Sequence, residues 1–258
     1  MGSIPESVLT YDDVPDADSA AKPHQRLRWR EALTVFEYAS TKLSGDLVDH
    51  WPHGDGHPVM VLPGFMAGPG TTQVLRDVLY RLGYQPHDWG LGWNLGYRRH
   101  MAESLAARVR DIQRASGGDP VSLIGWSAGG IYAREVARML PDRIRMVVTL
   151  GSPFRGSHRA THASWMWDLL NRHADATELM SEAARIGRAR PISVPTTCIY
   201  SKHDGVVALE CCMSLPAPRT ENVEVRSTHL GYGHNLETLY VIADRLAQRP
   251  DRWRPYSA

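Results

Sequence analysis

A chain of 258 residues can bury a full core and fits one large α/β domain or two small ones. Hydrophobic residues make up 43% and charged residues 22%, ordinary proportions for a globular protein. Lys plus Arg number 29 against 28 for Asp plus Glu, a formal net charge of +1. No long-range field gathers polyanions, and no basic run is interleaved with aromatics, so nucleic acid is not an expected partner.

The first twenty residues, MGSIPESVLTYDDVPDADSA, are acidic and hold no apolar run of the secretory-leader kind. No later stretch has the length of a bilayer span. The expectation is a cytoplasmic protein with no stable membrane insertion. Cys198, Cys211 and Cys212 are too few and too clustered for a disulfide framework, and free thiols are expected.

In chain order, residues 1–24 are rich in Pro, Asp and Ser and read as a flexible N-terminal arm. Residues 25–258 then read as a single domain. From Arg26 to Leu43 the apolar positions Trp29, Leu33, Phe36, Ala39 and Leu43 follow helical spacing, giving an amphipathic helix. A turn-rich link, WPHGDGHP, leads into the first strand-like run. Strand-length apolar runs are predicted at Pro58–Pro63, Val121–Gly125, Ile144–Leu150, Thr196–Tyr200 and Val223–Arg226. Helical patterns lie between most of them, at Thr71–Leu82, His100–Ala115 and Ala128–Leu140, and a similar one follows at Leu236–Leu246. Short Val- and Ile-rich runs alternating with helices predict a mostly parallel sheet with helices on both faces. One insertion interrupts the alternation at about 155–194. It carries two predicted helices, Ser164–Asn171 and Thr177–Ile186, and reads as a short helical cap.

The chemistry centres on Gly125-Trp126-Ser127-Ala128-Gly129, a G-x-S-x-G string. The string alone is weak, but a strand pattern precedes it and a helical pattern follows at once. That is the strand–sharp turn–helix of a nucleophile elbow, which holds a serine hydroxyl exposed at the strand tip. Ser127 is therefore the candidate nucleophile. A tetrahedral oxyanion needs two backbone N–H donors. The candidates are Ala128, directly after the serine, and Phe65 in the loop Leu62-Pro63-Gly64-Phe65-Met66-Ala67-Gly68, with Met66 as the alternative to Phe65.

A serine hydroxyl needs a base, and the base needs a carboxylate to fix its orientation and tautomer. Asp204 follows the Thr196–Tyr200 run and is the candidate acid, although Asp-Gly is also an ordinary turn signature. Two histidines follow the last strand-like run. His229 lies close to the strand end and is the candidate base. His234 precedes Asn235, a candidate N-cap of the final helix. His50, His53 and His57 fit a hydrated turn better than a metal site, and no cofactor or metal is expected.

The segments VMVLPGF, LIGWSAGG, TLGSPFRGS, IYSKHDGVV and THLGYG together resemble the bacterial lipase and carboxylesterase branch of the α/β-hydrolase superfamily, from about Pro58 to Leu246. In such lipases the loop after the first motif usually reads His-Gly, where this chain has Pro63-Gly64. The family's histidine is typically followed by x-Gly-Leu, which His229-Leu-Gly-Tyr resembles more closely than His234-Asn-Leu does. The resemblance implies an α/β-hydrolase fold and a small-molecule acyl ester cleaved through an acyl-enzyme. Trp165 and Trp167 in the cap, with Met66 and Trp126, are candidate substrate-binding residues, and an apolar cap surface favours short- to medium-chain or hydrophobic esters. Core packing is the commoner fate of such an apolar stripe. A thioesterase, an amidase or an acyltransferase would use the same triad, and a non-catalytic binding module would usually lack one of its members.

Overall fold

The computed structural model describes residues 14–96, 100–156, 160–162 and 182–257. Six strands form one sheet: β1 (Pro58–Leu62), β2 (Gln85–Asp88), β3 (Val121–Trp126), β4 (Ile144–Leu150), β5 (Thr196–Tyr200) and β6 (Thr220–Glu224). Their order is β2-β1-β3-β4-β5-β6, with every neighbouring pair parallel. The chain runs outward from β1 to β2 and then returns to the other side of β1 with β3. In an open parallel sheet, ligands bind outside the carboxyl ends of the strands at such a reversal. The loop after β1 and the elbow after β3 both sit there.

Strand alternation divides the core in two. Val59, Val61, Ile124, Val148 and Ile199 pack against Leu75, Val78 and Leu79 of α4 (Gln73–Arg81) and against Leu239, Ile242 and Leu246 of α8 (Leu236–Leu246). On the other face Met60, Leu62, Leu123 and Val147 meet Leu105, Val109 and Ile112 of α5 (Met101–Ala115), with Tyr132, Ala133 and Val136 of α6 (Ala128–Met139). Period-two side chains buried on both faces are what a parallel sheet with crossover helices requires. Of the insertion, α7 (Glu182–Ala189) is described. The predicted helix Ser164–Asn171 and the candidates Trp165 and Trp167 lie outside the described residues.

Four expectations are corrected. Strand β2 was not anticipated, because Gln85, Pro86, His87 and Asp88 form a polar edge strand without an apolar signal. The last strand is Thr220–Glu224 rather than Val223–Arg226. The packed chain also begins before residue 25, since Val14 and Ala17 are buried and the Pro15 carbonyl accepts from the Arg155 guanidinium at 3.1 Å.

The fourth correction concerns the N-terminal helix. It is broken into α1 (Gln25–Arg30), a 3-10 turn at Glu31–Leu33, and α2 (Thr34–Leu43), with the short α3 (Gly45–Val48) after it. A surface helix ordinarily turns its apolar stripe to the core, yet here Trp29, Phe36 and Leu43 are 84%, 70% and 88% exposed while Glu31 and Thr41 are buried. The face turned inward is polar because it meets loops whose backbone N–H groups need acceptors.

Candidate active site

Strand β3 ends at Trp126 and α6 begins at Ala128, so Ser127 alone makes the turn. Its backbone has φ 53° and ψ −122°, a conformation that costs a non-glycine residue about 1–3 kcal/mol and persists only where the surroundings enforce it. The enforcement is visible in two glycines. A Cβ on Gly125 would lie 2.3 Å from the Gly130 Cα, and one on Gly129 would lie 2.4 Å from the Leu62 carbonyl oxygen. The tight strand-to-helix reversal therefore tolerates no side chain at either position. The Ser127 amide donates to the Leu150 carbonyl at 2.8 Å, while the Ser127 hydroxyl has no hydrogen-bond partner among the described residues.

Opposite the serine runs the loop after β1, close enough that a Cβ on Gly64 would stand 3.3 Å from the Ser127 Cβ. Buried Asn94 holds this loop. Its side-chain amide donates to the Pro63 carbonyl at 2.9 Å, its backbone amide donates to the Ala67 carbonyl at 2.8 Å, and its carbonyl accepts from the Met66 amide at 2.8 Å. The Met66 N–H is thereby already engaged. Ala128 opens α6, where a helix leaves its first amides without intrahelical acceptors and presents the positive end of its dipole. Asn94 went unnoticed in the sequence because a single polar residue in WNLGY carries no periodic signal.

Asp204 and His229 meet at the carboxyl end of the sheet. The His229 Nδ1 lies 2.7 Å from the Asp204 Oδ2, and both residues are almost fully buried. The other carboxylate oxygen accepts from the Val206 and Val207 amides, each at 2.8 Å. Burial alone would lower the imidazole pKa, but the Asp204 charge and hydrogen bond, aided by the Glu31 charge, hold it above the usual 6.5. A carboxylate at Nδ1 fixes the neutral tautomer with its proton there, leaving the Nε2 lone pair to act as base. His229 is also tied to the elbow, since the Trp126 indole N–H donates to the His229 carbonyl at 3.0 Å. Trp126 is a buried residue of the core and makes that tether. Met66, by contrast, is 41% exposed on the loop facing Ser127.

His234 points elsewhere. Its Nε2 lies 2.8 Å from the Thr34 hydroxyl, its carbonyl accepts from the Thr41 hydroxyl, and its ring packs edge-on against Tyr38. The next residue, Asn235, caps α8 by accepting from the Thr238 amide at 3.1 Å.

A second Ser-His-Asp constellation lies near the opposite end of the sheet. His57 is hydrogen-bonded through Nδ1 to Asp55 at 2.5 Å and through Nε2 to the Ser122 hydroxyl at 2.8 Å. Connectivity matches a triad, but placement does not. Ser122 is fully buried in regular β3, five residues before Ser127 and so about 16 Å away along the strand. Asp55 pairs with Arg145, and although partial burial opposes its charge, its bonds to His57 and Arg145 hold its pKa at about 2. This network pins the link before β1 to the sheet. Replacing Ser122 by Ala would strand the buried His57 Nε2, and a loss of about 1–3 kcal/mol in stability is expected, seen as a lower melting temperature. The reactivity of Ser127 toward a covalent probe should stay unchanged.

A family model described as the alpha/beta hydrolase fold matches residues 85–184. The chain is 35% identical over 140 residues to a triacylglycerol lipase of Pseudarthrobacter phenanthrenivorans, covering 53% of this chain and 41% of the relative. It is equally identical over 140 residues to a triacylglycerol lipase of Burkholderia plantarii, covering 53% and 36%. The chain thus spans less than half the length of these curated relatives. Among solved structures, a mature Bacillus licheniformis lipase superposes with a TM-score of 0.57 at 16% identity, covering 76% of this chain and 94% of the other. With a serine held in a strained strand-to-helix turn at the switch point of a six-stranded parallel sheet, the chain has the α/β-hydrolase fold.

Proposed function

We propose that this chain hydrolyses carboxylic esters through an acyl-enzyme formed on Ser127. His229 acts as general base and then general acid, and Asp204 orients it. The observation that carries the reading is the tethering of the buried Asp204–His229 pair to Trp126, the residue preceding a serine in a strained turn. In the first step the Ser127 oxygen attacks the ester carbonyl carbon while its proton passes to the His229 Nε2. The resulting oxyanion sits between the amides of Phe65 and Ala128. Collapse expels the alcohol, which takes the proton from His229. Water, deprotonated by the same imidazole, then releases the acid and regenerates the serine.

The relatives' activity on triacylglycerols supports an ester as substrate. We assign short- to medium-chain or hydrophobic acyl esters to this chain, with Met66 beside the entering acyl group. The test is labelling with a fluorophosphonate followed by peptide mapping, together with turnover of p-nitrophenyl esters of two to eight acyl carbons. Modification at Ser127 and hydrolysis of at least one ester are expected. Labelling elsewhere would remove the nucleophile assignment. Labelling at Ser127 without hydrolysis of any ester in the series would remove the substrate class.

A further inference from the structure

We propose that Glu31 is a positioning residue that locks the acid-bearing loop and the base-bearing loop to each other. Its Oε1 accepts from the Gly205 amide at 2.8 Å and from the His229 amide at 3.0 Å, and its Oε2 accepts from the Leu230 amide at 2.9 Å. Gly205 directly follows Asp204, so one carboxylate grips the backbone next to the acid, the backbone of the base and the residue after it. These loops are 25 residues apart in sequence and belong to different strands. Glu31 is buried, and three backbone N–H groups, rather than a basic side chain among the described residues, satisfy its charge. Charge-assisted bonds of this kind are shorter and stronger than neutral ones.

Neighbouring contacts fit the same role. Glu37, on α2, accepts from the Thr228 amide at 3.1 Å, the Thr228 hydroxyl at 2.5 Å and the Asn235 side chain at 2.8 Å. The approach is close at both loops. A Cβ on Gly205 would lie 2.4 Å from the Leu27 carbonyl oxygen, and one on Gly231 would lie 2.1 Å from a Glu37 carboxylate oxygen. The inverted helix is therefore seated on the two loops by its acidic face, which explains why its apolar residues point outward.

A mispositioned imidazole loses its near-attack geometry, for which a displacement of about 1 Å costs on the order of 100-fold in rate. Glu31 also contributes negative charge near His229. The groups facing that imidazole are Asp204 from the β5 loop, Glu31 from the 3-10 turn and the edge-on ring of Tyr232 from its own loop, with Glu37 one residue back at Thr228. Arg28 and Arg30 of α1 are exposed. Removing one anion from this set shifts the imidazole titration downward.

This role rests on the triad proposed above, so its test reads the histidine directly as well as the rate. Glu31→Gln and Glu31→Ala are compared with the unmodified full chain by NMR titration of the His229 imidazole, assigned against His229→Gln, and by p-nitrophenyl butyrate kinetics across pH. In Glu31→Gln we expect a lower imidazole pKa, an acid limb moved to lower pH, and kcat reduced on the order of 10- to 100-fold with little change in KM. Glu31→Ala should be worse in rate. If it does not fold, Glu31→Gln decides alone. An unchanged imidazole titration overturns the proposal even if rate falls, because a merely structural glutamate would lower rate without moving that titration. If the unmodified protein hydrolyses no ester, the functional reading falls, and the imidazole titration still decides for or against Glu31.

Discussion

Ser127→Ala should lower kcat for p-nitrophenyl butyrate on the order of a million-fold, to the level left by binding and oxyanion stabilisation alone. Two features make this a test of chemistry rather than of folding. The Ser127 hydroxyl has no hydrogen-bond partner among the described residues, so its removal orphans no buried group. The strained φ of 53° belongs to the backbone, held by the Gly125 and Gly129 contacts and by the Ser127 amide bond to Leu150, and alanine inherits it. The melting temperature should move little, and fluorophosphonate labelling should vanish. Residual turnover within tenfold of the unmodified protein would show that another group attacks the ester.

His229→Ala should cost a comparable factor, because nucleophile and base act as one unit and losing either disables both. His234→Ala should leave kcat within about tenfold. It removes the bond from Nε2 to Thr34 and the packing on Tyr38, so its cost should appear in stability, about 1 kcal/mol for the lost hydrogen bond. The reverse pattern would transfer the base to His234. The pH profile supplies a second reading of the same residue. Its pKa is raised by Asp204 and Glu31, and only the neutral imidazole accepts a proton, so activity should rise through an acid limb lying above pH 6.5. Stability has the opposite sign. A histidine whose pKa is raised by folding stabilises the fold fully below its unfolded pKa of about 6.5, and that contribution fades as pH climbs through the folded value. Activity therefore appears as the Asp204–His229 ion pair discharges. A rate independent of pH on the acid side would remove histidine as the base.

Much of the architecture was legible because it rests on periodicity. The apolar runs of β1, β3, β4 and β5 and the helical patterns of α4, α5, α6 and α8 each encode their own burial, and burial is what a packed parallel sheet demands of them. The elbow was legible for a related reason, since a Gly-x-Ser-x-Gly string between a strand pattern and a helix pattern is a local requirement of backbone sterics. Strand β2 was invisible because an edge strand with exposed and half-buried positions has no need of apolar side chains. The N-terminal helix misled for the converse reason. Its apolar stripe follows helical spacing, but the inner face was chosen by the backbone amides of Gly205, Thr228, His229 and Leu230, which Glu31 and Glu37 satisfy.

By itself, then, the chain order of residues determined the apolar strands β1, β3, β4 and β5, their helical cover and the sharp turn at Ser127, because each is enforced by neighbours in sequence. Only the tertiary structure decided which histidine meets Asp204, which amides near the serine are already engaged, and which side of the first helix is buried. Those choices depend on hydrogen-bond partners as far as 200 residues apart, and no local pattern records a partner at that distance.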